Sequence, residues 1–556
     1  MLNFYSTRRH LVILSSSIAL GLGACSGDDT VGSDTGDESA THGGTSGGSD
    51  SSSGGGTGTG TSAGSDSSPG SSGTGNSGTG DSAGDTDGAS TSGGDSDGTT
   101  GDTDDTTTGD TTTTTGGEEL CDDIEDVTLF LSPDDSNSMS SPVQAREAVL
   151  NGWSSLNSVP LRMWEFFNYY TFEYPTAEPG TVIVTPELYR LDIQDDGEYT
   201  LQIGISSTAL TNNDRAPMNI TLVLDESGSM NGAPMKMQKE ACRALAAQLK
   251  IGDIVSMVGW DTENAIKLAG YKVTGPNDAM LLAKINALEP GGGTDLHGGL
   301  VAGYKLAQAS FDPDRINRVV LISDGGANAG ITDINIIAEA AGNQDEDGIY
   351  LVGVGVGSYS ETGYNDALMD TVTDIGKGAS VYIPSKEEAW RIFGDDFVNT
   401  MSVAVRDVQV RLDMPPGFEI VKFSGEEYSD DPSEIEPQHL APNDAMVFHQ
   451  TIATCAPELI EDDTPITVTA RFKDAITFEV KEVSATVTFG ELLGVESPLV
   501  RKGSAVYAYV DALKAVQSNT DAEAAISEAQ ERLDAASLLL PGDSDLAEIG
   551  TVLEAL

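Results

Sequence analysis

Asn219-Ile220-Thr221-Leu222-Val223-Leu224-Asp225-Glu226-Ser227-Gly228-Ser229-Met230 is an apolar, β-branched run that ends abruptly in oxygen-bearing side chains. The apolar part predicts a buried strand of a parallel sheet. The Ala-rich segment from Met235 to Leu249 predicts a helix. Asp225, Ser227 and Ser229 therefore fall on a strand-to-helix turn at the carboxyl end of a strand, where open α/β sheets bind ligands. Gly228 lets this turn bring both hydroxyls to the side of the carboxylate. One carboxylate and two hydroxyls form a hard donor set, suited to Mg²⁺ or Ca²⁺ rather than zinc.

A metal ion needs more ligands than one turn offers. Thr294 stands in Pro290-Gly291-Gly292-Gly293-Thr294-Asp295-Leu296 and opens a further helix, and Asp324 ends a second apolar run, Arg318 to Ser323. At a common sheet edge these loops would supply two carboxylates and three hydroxyls. Here the chain resembles the von Willebrand factor type A domain. Asp225, Ser227, Ser229, Thr294 and Asp324 match the D-x-S-x-S…T…D pattern of its metal-ion-dependent adhesion site. The resemblance implies one Mg²⁺ (or Ca²⁺ or Mn²⁺) whose open position takes water or an acidic group of a partner protein. A turn capped by Ser and Asp would account for the first three residues but not for Thr294 and Asp324.

Around this site, strand candidates at Asp253–Trp260, Val319–Ser323 and Ile349–Val356 alternate with helical stretches at Asp278–Leu288 and Leu296–Ala309. That alternation predicts an α/β class, doubly wound and Rossmann-like, over residues 217–400. Alternating segments with Asp-Gly turns precede it (181–207), and alternating segments with turns between them follow it (403–412, 418–423, 446–452, 466–472, 484–489). Each set alone would leave an apolar face wet. The expectation is therefore one β-sandwich, from strands within 119–216 and 401–495, into which the type A domain is inserted. Residues 496–556 read as helices, with Thr520-Asp521-Ala522-Glu523 as a capping box.

Pro160 to Pro175 is dense in aromatic residues and reads as core. Glu165, Asn168, Tyr169, Phe172, Tyr174 and Pro175 loosely match a block that precedes the type A domain in a group of bacterial secreted or lipid-anchored proteins. Ser141 reads as the cap of a helix beginning at Pro142. Asp134-Asp135-Ser136-Asn137-Ser138 echoes the metal motif, but no Thr and Asp loops follow at the needed intervals.

The 556 residues carry 88 acidic and 29 basic side chains, a formal net charge of −59. Nucleic acid and an electrostatic hold on anionic membranes are disfavoured as partners. Residues 1–24 have the basic and apolar regions of a signal peptide. Leu22-Gly23-Ala24-Cys25 is similar to a bacterial lipobox, which implies lipidation of Cys25. Ser26 after that cysteine favours the outer membrane of the cell envelope. Residues 25–118 are Gly, Ser, Thr and Asp with almost nothing apolar, and are expected to be a disordered linker. Cys242, in the helix after the metal turn, reads as a buried free thiol. This leaves Cys121 and Cys455 as candidates for a disulfide in an exported protein.

The function expected is that of an envelope lipoprotein, held to the membrane by its lipid anchor, whose metal site grips an acidic group of a protein ligand. A structural scaffold with a stabilising metal is the alternative, and a metal-dependent hydrolase a remote one. A phosphatase using a strand-end Asp would want a second Asp where Ser227 stands, and neither H-E-x-x-H nor G-x-S-x-G occurs. The chain is therefore not expected to be an enzyme.

Overall fold

The computed structural model describes residues 126–133, 138–152, 154–190, 197–326, 348–357 and 364–556. The expected signal peptide (1–24), Cys25, the expected linker (25–118), Cys121, the Asp134–Asn137 echo and residues 191–196 lie outside the described residues.

Three strands precede the metal-turn strand: β1 (Val127–Ser132), β2 (Ile183–Tyr189) and β3 (Glu198–Ser206). Six more, β4 (Met218–Asp225), β5 (Ile254–Trp260), β6 (Asn264–Lys272), β7 (Ile316–Ser323), β8 (Ile349–Gly355) and β9 (Ser380–Tyr382), form one sheet in the order β6-β5-β4-β7-β8-β9. All neighbours there are parallel except β5–β6. Central β4 is buried along its whole length, as expected of a strand covered by helices on both faces. Its start is fixed by a buried ion pair. Arg215 meets Asp253 at 2.6 Å, and Asp253 Oδ1 also accepts from Met218 N at 2.8 Å.

Seven strands follow: β10 (Val405–Met414), β11 (Phe418–Phe423), β12 (Glu427–Ser429), β13 (Gln438–Leu440), β14 (Ala445–Thr454), β15 (Pro465–Asp474) and β16 (Val480–Thr488). They mix with the first three in two antiparallel sheets. One runs β12-β1-β10-β15-β16 with β13 beside β10; the other runs β11-β14-β3-β2. Leu129 pairs with Leu412 across β1–β10, and Ile203 with Phe448 across β3–β14. Leu131, Leu201, Ile203, Val410, Leu412 and Phe448 share one core between the sheets. The α/β domain is thus inserted in a β-sandwich, because strands on either side of it complete each other's sheets.

The aromatic block is core, but of the other cluster. Phe166, Phe167, Tyr169 and Tyr170 are buried with the α/β domain and with the C-terminal helices Pro498–Ser518, Ala522–Leu539 and Ser544–Leu553. The helix Ser140–Asn151 and residues before it cap the short edge strand β9. Met139 N donates to Ser380 O at 2.8 Å and Ser380 N to Ser138 Oγ at 3.0 Å. A sheet edge that would otherwise invite pairing is closed.

Two local expectations are corrected. Ser141 is not the cap: the helix begins at Ser140, and Ser141 N donates to the carboxylate of Glu165, from a different segment. The Thr520–Glu523 capping box does not form. Asn519 and Asp521 are left-handed (φ 54° and 50°), and the Asp521 side chain caps nothing. The tight reversal between two packed antiparallel helices dictates the backbone there. A capping box occurs instead at Thr488 and Glu491. The exposed edge strand β6 was not anticipated, since its alternation faces solvent on both sides. Cys242 is a buried free thiol, as expected, and Cys455 is disulfide-bonded.

Arg146 ties the modules together. It reaches Glu388 at 2.8 Å, Glu548 of the last helix at 2.9 Å and Tyr169 Oη at 2.6 Å. Glu388 is 4% exposed and its Oε1 has no partner. Loss of the guanidinium would strand that carboxylate in the interior. Arg146→Ala is expected to lower stability by about 3–5 kcal/mol, measured by urea unfolding.

Candidate metal centre

Asp225 is the last residue of β4 and is fully buried. Both of its oxygens are engaged: Oδ1 accepts from Ser227 N at 2.8 Å, Oδ2 from Ser323 Oγ at 2.7 Å. Its carbonyl accepts from Gln238 Nε2, 2.9 Å away in the following helix Ala233–Gln248. The next residue stitches the turn to its neighbours. Glu226 N donates to Trp260 O at 2.8 Å, and Glu226 O accepts from Gly291 N at 2.6 Å. The Asp225 turn, the end of β5 and the glycine-rich loop are thereby locked together.

That loop carries Thr294, 2% exposed, just before Asp295, which caps the helix Leu296–Ala309 by accepting from Gly298 N at 3.0 Å. Asp324 follows β7 and is 1% exposed. The hydroxyls of Ser227 and Ser229 are 3.0 Å apart, and Ser229 donates to the Asp324 carboxylate. Gly326 shows how closely the rest gather. A Cβ placed on it would lie 3.2 Å from Asp324 Oδ1, 3.8 Å from Thr294 Cγ2 and 4.0 Å from Ser229 Oγ. All five residues expected from the sequence thus meet at the carboxyl edge of the sheet.

The residues present fit a hard divalent cation. Asp324 Oδ2 is buried and without a hydrogen-bond partner, so one carboxylate oxygen is uncommitted. Two hydroxyl oxygens 3.0 Å apart match neighbouring corners of an octahedron with metal–oxygen bonds of about 2.1 Å. The five residues include no His or Cys, so every donor they offer is a hard oxygen. Electrostatics point the same way. Burial, and secondarily the charge of Asp324, push Asp225 up to about 7, against opposing hydrogen bonds from Ser227 and Ser323. Burial raises Asp324 as well. A cation between them would remove the repulsion.

Sequence reasoning missed Ser323, Gln238 and Glu226, which hold Asp225 or its turn. Ser323 was the most accessible of these, since a hydroxyl beside the strand-end Asp324 is placed to reach across to the parallel neighbour β4.

Over residues 220–327 the chain matches the family model of the von Willebrand factor type A domain. It contains such a domain, a kind of module commonly used for metal-dependent adhesion or protein interaction. It is similar to YfbK of Escherichia coli strain K12, with 24% identity over 266 residues, 46% of this chain and 45% of that protein. It is also similar to human inter-alpha-trypsin inhibitor heavy chain H2, 27% identical over 189 residues, 33% of this chain and 20% of that protein. The chain therefore spans less than half the length of these curated relatives. Among solved structures, a von Willebrand factor type A protein from Catenulispora acidiphila covers 66% of this chain and 89% of its own, with 16% identity and a TM-score of 0.42.

The raised Asp225 sets a pH dependence. Its folded pKa lies above the ordinary value of about 3.9, so the metal-free fold takes up a proton that the unfolded chain does not. The stability this brings is full below about 4 and is lost as pH rises through about 7. Mg²⁺ needs the ionised form and competes with that proton. The rise in melting temperature produced by Mg²⁺ is expected to be larger at pH 8 than at pH 5.5. Mg²⁺ affinity should fall by roughly tenfold per pH unit below 7, read by calorimetry.

Proposed function

We propose that this protein is a lipid-anchored envelope protein that captures a protein partner through one divalent cation. Asp225, Ser227, Ser229, Thr294 and Asp324 hold the ion, and an acidic group of the partner completes its coordination. The observation that carries this reading is the uncommitted Asp324 Oδ2 beside converging hydroxyls. Neutral hydroxyls contribute no charge, so two carboxylates balance a divalent ion and leave it electrophilic enough to take an anion. Mg²⁺ suits the compact donor set best, with Ca²⁺ or Mn²⁺ as the other hard ions of similar preference. Binding rather than catalysis is favoured because no nucleophile or general base is needed for this use of the site. In this reading Cys25 carries the lipid, and the Gly/Ser/Thr/Asp linker spaces the folded part from the outer membrane. Cys121 is the proposed partner of Cys455.

The test is affinity capture from envelope extracts with Mg²⁺ or with chelator. A partner is expected to be retained by the wild type only with Mg²⁺, and not by Asp225→Ala. Calorimetry on the same variant should show loss of Mg²⁺ binding while its circular dichroism spectrum stays that of the wild type. Equal Mg²⁺ affinity in both proteins would refute the ligand assignment, and metal-independent capture would favour the scaffold alternative. Separately, Cys25→Ser is expected to move the protein from the detergent phase to the aqueous phase in a detergent partition.

A further inference from the structure

Asp324 is held on its far side by Asn365, whose chain neighbour Asp366 is held by the segment ahead of β2, residues 138–175, here called the N-terminal extension. Asn365 N donates to Asp324 O at 3.2 Å. Gly325 is left-handed (φ 77°), and a Cβ on it would strike Asn365 O at 2.6 Å, so the metal loop lies directly on the Asn365 backbone. Asn365 also caps the helix Asp366–Ile375, accepting from Leu368 N at 3.3 Å. The next residue faces away from the site. Asp366, 2% exposed, takes three donors from the extension: Gln144 Nε2 at 2.6 Å, Ser140 Oγ at 3.3 Å and Arg162 Nη2 at 2.8 Å. Arg162 also meets Asp370 at 3.0 Å and Glu165 at 3.3 Å.

Two neighbouring residues, with Cα atoms about 3.8 Å apart, thus face two different modules. We propose that Asp366, clamped by Gln144, Ser140 and Arg162, is a positioning residue for the metal ligand Asp324. The affinity of the type A domain for its cation is thereby set by the seating of the N-terminal extension. The proposal rests on the metal reading above. The physical reason is that a metal ligand bound by its backbone to a fixed support keeps its carboxylate aimed, whereas a loose support spreads it over orientations that do not coordinate. Supporting contacts of this kind change metal affinity by about 10–100-fold when removed. Coupling is reciprocal, so the cation must in turn tighten the extension.

The experiment uses the full-length protein and Mg²⁺ alone. Calorimetry is run on wild type, Asp366→Asn, Gln144→Ala and, as a control for lost stability, Phe489→Leu. Phe489 is 1% exposed in the separate sandwich core. The expected result is a Kd for Mg²⁺ raised about tenfold or more in Asp366→Asn and by a smaller factor in Gln144→Ala, with Phe489→Leu unchanged. Hydrogen exchange on the wild type needs no variant to fold. Mg²⁺ is expected to slow exchange in the helices Ser140–Asn151 and Met163–Tyr169, beyond the metal loops themselves. Wild-type binding with unchanged affinity in both clamp variants overturns the proposal, as does Mg²⁺ binding that leaves exchange in those helices untouched. A wild type that binds no Mg²⁺ overturns the metal reading and this proposal with it, an outcome distinct from the other two.

Discussion

Two carboxylates buried side by side, with no ion pair to either among the described residues, are the constraint around which the type A domain is arranged. Burial of like charges is costly, and the fold shows that cost in the raised pKa of both Asp225 and Asp324. Hydrogen bonds relieve it unequally. Asp225 has both oxygens satisfied by Ser227 N and Ser323 Oγ, whereas Asp324 keeps one oxygen without a partner. The first carboxylate is therefore mainly a fixed organiser of the turn, and the second is the open donor. A site with this asymmetry is prepared for a cation and strained without one.

Holding such a site requires stiff loops, and the chain supplies stiffness from far away in sequence. Glu226 binds the turn to β5 and to the glycine-rich loop through its backbone, and its carboxylate adds Glu289 N and Lys267. The extension closes the β9 edge and takes hold of Asp366. Arg146 links the same extension to Glu388 and to the last helix. The C-terminal helices share a core with the α/β domain, while the sandwich keeps a core of its own. Insertion gives two chain connections between domain and sandwich, and the helical extensions add side-chain ties on top of these. The broken helix that leads out of the domain, Lys386–Trp390, a π-turn at Arg391–Asp395 and Phe397–Met401, lies among these ties. Such π segments often mark functional bends.

The local chemistry of the site was written in short motifs. An apolar run ending in Asp225, followed by Ser227, Gly228 and Ser229, has few readings other than a buried strand opening into a ligand loop. Thr294 after three glycines and Asp324 after β7 repeat the pattern at the same sheet edge. Period-two alternation in β10 likewise reveals a strand with one face inward. What sequence determined by itself was whatever depends on near neighbours: strand ends, loop chemistry and the buried free thiol of Cys242. Tertiary structure alone decided what is set by residues hundreds of positions apart. Alternation in β3 gives Gln202 no distant partner, yet it is fully buried, accepting from His449 Nδ1 at 2.8 Å and donating to Tyr174 Oη at 2.8 Å. Ser141 reads as a cap, yet Glu165 caps in its place. Asp366, at the start of its helix, receives Arg162 from 204 residues earlier. A hydrogen bond between distant segments leaves no periodicity in either, because each partner is only one polar residue in its own stretch until the fold brings them together.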